Sequence, residues 1–126
     1  MYVERLALAV TTDASGNATV YSGVIHGQVL QVRYVPDGTS PLDIGADIDL
    51  TGETSGLVVI DKDNIGTSAF TVAPRQATHS VGLAAALYAA GGEAALAPIA
   101  IAGERLKLVV ANGGNTKLGT FYIWVG

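Results

Sequence analysis

At 126 residues, 49 % apolar and 14 % charged, the chain is one ordinary domain's worth of sequence, long enough to bury a two-layer core without metal or disulfide help. It has no cysteine, which removes disulfides, thiolate zinc sites and cysteine nucleophiles. Its formal net charge of −4 argues against a nucleic-acid partner, because phosphate binding needs clustered Lys and Arg.

No run approaches the roughly 18 apolar residues of a membrane helix. The apolar run after Glu4 and Arg5 is too short for a signal-peptide core. The expectation is one domain over residues 1–126, made and kept in soluble form with no membrane partner. Charged residues normally make up roughly 25 % of a soluble domain, so this surface is poor in charge, as expected where other protein covers part of it. The charge is also uneven. Asp37, Asp43, Asp47, Asp49, Glu53, Asp61 and Asp63 face only Lys62 in the middle of the chain, whereas bases outnumber acids elsewhere.

Period-two alternation, the mark of half-buried strands, dominates from the start. In "ERLALAV", Leu6, Leu8 and Val10 share a face. "TTDASGNAT" is a turn by composition, and "ATVYS" is expected to return as the partner of a hairpin. "IHGQVLQVRYV" is the longest strand candidate, with Leu30, Val32 and Tyr34 on one side and Val29, Gln31 and Arg33 on the other. Pro36, Asp37 and Gly38 end it. "ADIDLTG" places Ile48 and Leu50 inward and Asp47 and Asp49 outward, and "GLVVID" and "TSAFTVAP" add short strands.

"PRQATHSVGLAAALYAAGGEA" has no strand alternation. Its Ala-rich centre from Val81 to Ala90 favours helix on propensity, but no strong cap is present and Gly82 and Gly91 bracket it. It reads as a long connection with one or two helical turns. "PIAIA", "ERLKLVV" and "LGTFYIWV" are strands, with "ANGGNTK" as the hairpin turn before the last. The sum is an all-β antiparallel sandwich of roughly eight to ten short strands with one long Ala-rich connection, and a jelly roll suits that pattern.

Catalytic chemistry is sparse. His26 and His79 are the only side chains that titrate near neutrality without perturbation. His79 has Ser80 beside it, but there is no nucleophile elbow and sequence adjacency does not assemble a triad; it reads as a loop or interface histidine. "DKDNIG" begins like a calcium loop, with Asp61, Asp63 and Gly66 at positions one, three and six. Ile65 at five and Val72 at twelve, where a bidentate Glu is required, break the match. The glycine pairs in "ANGGN" and "AAGGE" lack the strand, helix and Lys of a phosphate cradle. Tyr122 and Trp124 share a strand face and form either a carbohydrate or protein platform or, more often, core filling. The reading is a non-enzyme with no cofactor and no metal.

Four stretches, "AVTTDASGNATVYSG", "VRYVPDGTSPLDIGADIDLTGE", "PRQATHSVGLAAALYAAGGEA" and "ERLKLVVANGGNTKLGTFYIWVG", together resemble small all-β virion proteins of tailed bacteriophages. The resemblance implies a minor capsid, decoration or cement protein. Such a protein is made in the host bacterial cytoplasm, sits on the exterior of the phage head in many copies, and binds the major capsid protein and itself as a dimer or trimer. The alternative is a tail or head-fibre component that binds carbohydrate or receptor. The connection from Pro74 to Glu93 is long for a compact domain and apolar for a loop, so Arg75, His79, Ala85, Leu87 and Tyr88 are expected at an interface. The acids Asp47 and Asp49 and the bases Arg105 and Lys107 are expected to meet across neighbouring subunits, giving steering and register.

Overall fold

The computed structural model describes residues 2–126. Eight strands follow one another along the chain: β1 Glu4–Thr11, β2 Ala18–Pro36, β3 Asp47–Gly52, β4 Val58–Lys62, β5 Phe70–Val72, β6 Arg75–Ala77, β7 Leu96–Ala111 and β8 Leu118–Val125. No helix occurs among the described residues. All neighbours are antiparallel, in the order β1-β8-β2-β7-β3-β4, with β5 added to β2 and β6 to β7.

The long strand β2 explains how one sheet becomes two layers. Residues 18–29 pair with β7, whereas residues 29–36 pair with β8 and, at 32–34, with β5. Between the halves the register slips at Tyr21/Val24, Ile25/His26 and Val29/Gln31. Such bulges bend a strand and raise its twist. Gly27, at φ 139°, lies against the Gly126 carbonyl, where an added Cβ would sit 3.1 Å from the oxygen. A side chain at that corner is excluded both by conformation and by space.

Counting β2 as two halves gives one layer of β1, β8, the second half of β2 and β5, and another of the first half of β2, β7, β3 and β4. That is the jelly-roll order: a sandwich whose chain ends lie in neighbouring strands, β1 and β8. The inward residues Val10, Val32, Tyr34, Phe121 and Ile123 of the first layer meet Ile48, Leu50, Leu106, Leu108 and Val110 of the second in one cluster. Each such side chain contributes roughly 1.5–3 kcal/mol on burial.

Several expectations change. The strand "ATVYS" is no hairpin partner of β1; it opens β2, and β1 pairs with β8 instead. "PIAIA" and "ERLKLVV" are one strand, β7. The alternation expected across Val29 and Leu30 fails at the bulge, so Val29 is buried and Leu30 half-buried. The turn "ANGGNTK" does not close a hairpin, because β2 lies between β7 and β8 in the sheet order. It crosses from one layer to the other, with Asn112 and Thr116 in left-handed backbone. The buried Thr12 fastens it: its hydroxyl donates to the Gly114 carbonyl at 2.6 Å and accepts from the Lys117 amide at 2.7 Å.

Tyr34 is the largest fully buried side chain and stacks on Phe121 with centroids 4.8 Å apart. Gly119 gives it room, since a Cβ there would come within 2.7 Å of the Tyr34 ring. The Tyr34 hydroxyl is buried without a hydrogen bond of good geometry. A Leu42 backbone group faces it, and burial pushes its pKa up. An unsatisfied buried hydroxyl costs about 1–3 kcal/mol. Tyr34→Phe, which keeps the ring and removes the orphan group, is therefore expected to raise stability by roughly 1 kcal/mol in urea unfolding at unchanged slope.

Candidate functional site

The Ala-rich connection forms neither a helix nor a loose loop. β6 pairs with the start of β7, Arg75 opposite Pro98 and Ala77 opposite Leu96, and the chain between them folds twice on itself. Isolated bridges join His79 to Ala85 and Leu87 to Ala94. Three extended segments then close a ring of backbone hydrogen bonds: Thr78 N donates to Ala95 O, Ala95 N to Ala86 O, and Ala86 N to Thr78 O, each at 2.9 Å. The Thr78 hydroxyl also donates to the Ala95 carbonyl at 2.9 Å.

Two tight turns complete this projection. Leu83 N donates to Ser80 O at 2.9 Å with Leu83 in left-handed backbone, and Gly92 N donates to Ala89 O at 2.8 Å beside the left-handed Gly91. Helix propensity loses because the main-chain groups are satisfied between segments instead of within a turn.

This projection carries the largest concentration of exposed apolar side chains among the described residues. Val81 is 107 % exposed, Leu83 83 % and Tyr88 77 %, with Leu87 and Leu96 also exposed. From Gln76 to Gly92 the sequence holds no Asp, Glu, Lys or Arg. Several large apolar side chains exposed on one short segment are what a contact site on a protein surface offers. His79, Ala85, Leu87 and Tyr88 all lie on the projection. Arg75 sits at its base, where Nη1 donates to the Leu30 and Pro74 carbonyls at 3.1 and 2.8 Å. Val81, Leu83 and Leu96 belong to the same surface and had no distinguishing pattern in the sequence. Among the described residues no hydrogen bond joins His79 to the Ser80 side chain, and no group of three or more His, Cys, Asp or Glu is placed to hold a metal.

No protein-family model and no curated protein matches this chain. Among solved structures, the crystal structure of FLHE aligns with it at a TM-score of 0.40 and 13 % identity, over 98 % of this chain and 95 % of that one. A likeness so distant carries no functional argument.

Asp47, Asp49, Arg105 and Lys107 share one surface, the outer side of the β7-β3-β4 layer. Arg105 is held within the molecule by Glu53, with Nε donating to Oε2 at 2.6 Å, and its guanidinium lies 4.2 Å from the Tyr21 ring centre. The Arg105 hydrogen bonds hold the Glu53 carboxyl below its usual range. Lys107 stands opposite Thr51 on the same side. Asp47 is tied to the Asn64 amide at 3.0 Å and to the Asn112 side chain at 2.9 Å.

Asp49 faces Asp61 directly across the β3-β4 pair. Burial, and then the neighbouring Asp61, Asp63 and Asp47, push its carboxyl above the ordinary value. A carboxyl raised in the folded state opposes folding when ionised. Its penalty is complete above the folded pKa and absent below the unfolded value of about 3.9. Asp49→Asn is thus expected to raise stability at neutral pH by about 0.5 kcal/mol, the scale of a like-charge cross-strand pair. The same substitution should leave melts near pH 3 unchanged.

The clefts offer little convergent chemistry. A shallow one of about 310 Å³ beside the C-terminus is lined by Glu4, His26 and Gly126 among others, but His26 Nδ1 already accepts the Gly103 amide at 3.1 Å. The last strand supplies a further finding. Phe121 and Ile123 fill the core, so Tyr122 and Trp124 stand half-buried on the outer side of the first layer rather than inside it.

Proposed function

We propose that this chain is a decoration protein of a tailed-bacteriophage head, bound to the exterior of the shell in many copies and bracing joints between major capsid subunits. The observation that carries the reading is the exposed, uncharged, internally braced projection standing on a rigid jelly roll. It has the composition of a surface meant to be covered. The family resemblance in the sequence supplies the partner, the major capsid protein, with further copies of the chain completing a dimer or trimer.

The physics requires no chemistry from the protein. A subunit that binds only the expanded shell stabilises that state by mass action. Linked copies rebind at high effective concentration, so modest contacts repeated over a lattice give strong retention. The projection is suited to that task because its ring of main-chain hydrogen bonds fixes its shape before contact, which lowers the ordering cost of binding.

Quantitative mass spectrometry of purified particles tests the reading. Hundreds of copies, in near-stoichiometric proportion to the major capsid protein, is the expected result. A handful of copies would assign the chain to a vertex, tail or fibre, and absence from the particle would end the proposal.

A further inference from the structure

We infer that the outer face of the β1-β8-β2 layer is a binding ledge for an acidic polysaccharide, separate from the projection that the decoration reading uses. β8 places Tyr122 and Trp124 two residues apart on this face, about 7 Å along the strand. Their cross-strand neighbours are set by register: Arg5 and Gln31 flank Trp124, while Ala7 and Arg33 flank Tyr122. Arg5 leans over the Tyr122 ring, its guanidinium carbon 4.9 Å from the centroid. Arg33 is exposed and engages Thr71 Oγ1 through Nη1 at 2.8 Å, one of the five N–H donors of a guanidinium. Ala7, Ala9 and Thr120 on the same face are small, and both rings are half-buried.

The chemistry of this face is specific in sign. The outward positions of the three strands, from Arg5 to Thr11, Gln31 to Val35 and Thr120 to Trp124, hold two guanidinium groups and no carboxylate, on a chain whose net charge is −4. The opposite outer face carries both signs, Asp47, Asp49 and Asp61 with Arg105 and Lys107. The half-buried Trp124 ring offers an apolar surface to the C–H side of a pyranose, beside the Tyr122 ring that Arg5 covers. Guanidinium groups pair with carboxylate or sulfate in fork geometry, and Gln31 offers both a donor and an acceptor to hydroxyls.

A uronic-acid or sulfated glycan satisfies all three. A neutral glycan offers the two guanidinium groups no ionic partner. Single-stranded nucleic acid would stack on the rings, but two cations on an acidic protein are few for a phosphate backbone.

Trp124 is the only tryptophan in the chain, so intrinsic fluorescence reports on the ledge without any substitution. Titrating the full chain with polygalacturonate is expected to give a saturable change in emission that added salt weakens, with dextran giving none. Arg33→Gln should weaken the apparent affinity about tenfold, the scale of one charge-assisted contact, with an unchanged melting temperature. Trp124→Ala, followed by calorimetry, should weaken binding at least as much. No response to polygalacturonate, an equal response to dextran, or tighter binding of oligo-dT would overturn the inference. Particle copy number is expected to be the same for Arg33→Gln and the parent chain, so failure here leaves the decoration reading standing.

Discussion

Replacing Leu83, Leu87 and Tyr88 together by serine is expected to leave the fold intact and to remove the chain from the shell. All three side chains are exposed on the projection, and none belongs to the core cluster. Surface substitutions of this kind change stability by about 0.5 kcal/mol or less, a shift of a few degrees in melting temperature. The backbone ring through Thr78, Ala86 and Ala95 uses none of the three side chains, so the projection should keep its shape. On the proposed role, contact with the shell should suffer far more, because a few well-buried side chains near the centre of an interface, Tyr prominent among them, carry most of its energy. A loss of about 100-fold in affinity per site is expected, read by co-sedimentation with expanded shells lacking the protein. Undiminished co-sedimentation of a folded triple variant would show that another surface makes the contact.

The largest effect on stability is expected at Phe121, with almost none at its neighbour. Phe121→Ala removes a fully buried ring that stacks on Tyr34 and should cost about 3–5 kcal/mol. Against a total of about 5–15 kcal/mol for a domain, that variant stands close to unfolding. Tyr122→Ala, one residue later and on the outer face, should cost about 1 kcal/mol or less. Urea unfolding of the pair at constant slope is a direct test of the register of β8. Equal losses would mean that the strand does not present alternate residues to core and solvent.

The same strand shows what a sequence of this kind discloses. Alternation reports which residues share a side, and it identified β3 and β8 closely: Ile48 and Leu50 inward, Asp47 and Asp49 on the other side. It does not report which side of β8 faces the core, and the aromatic character of Tyr122 and Trp124 pointed the wrong way. Burial is decided by the neighbours that register brings, and Phe121, Ile123 and Val125 form the more apolar set.

Partner strands were equally hidden. β1 and β8 are separated by almost the whole chain, and no local signal connects them. "ATVYS" and "IHGQVLQVRYV" read as separate strands, whereas one strand runs through both, with Gly27 at the corner between layers. The projection was legible as something unusual, apolar and long, but not as β-structure. With neither face buried against the core, its segments carry no alternating pattern; they are joined by main-chain groups, which every sequence has.

The charge pattern was legible as a composition, but not the placement of the charges on the fold. Arg105 and Lys107 share a face with the acids they were expected to meet on another subunit, and Glu53 occupies Arg105 within the molecule. The proposed role rests instead on the stretch from Gln76 to Gly92, which carries no Asp, Glu, Lys or Arg.

Electron cryomicroscopy of tailed-phage heads assembled in the presence of this chain is the most direct test of the proposed role. The expected map shows jelly-roll density at repeated positions over the outer shell, with the projection from Arg75 to Pro98 seated against the major capsid subunits. Density in which the chain attaches by another face, with Val81, Leu83 and Tyr88 directed to solvent, would contradict the role assigned to the projection. Heads bearing no such density at all would contradict the function itself.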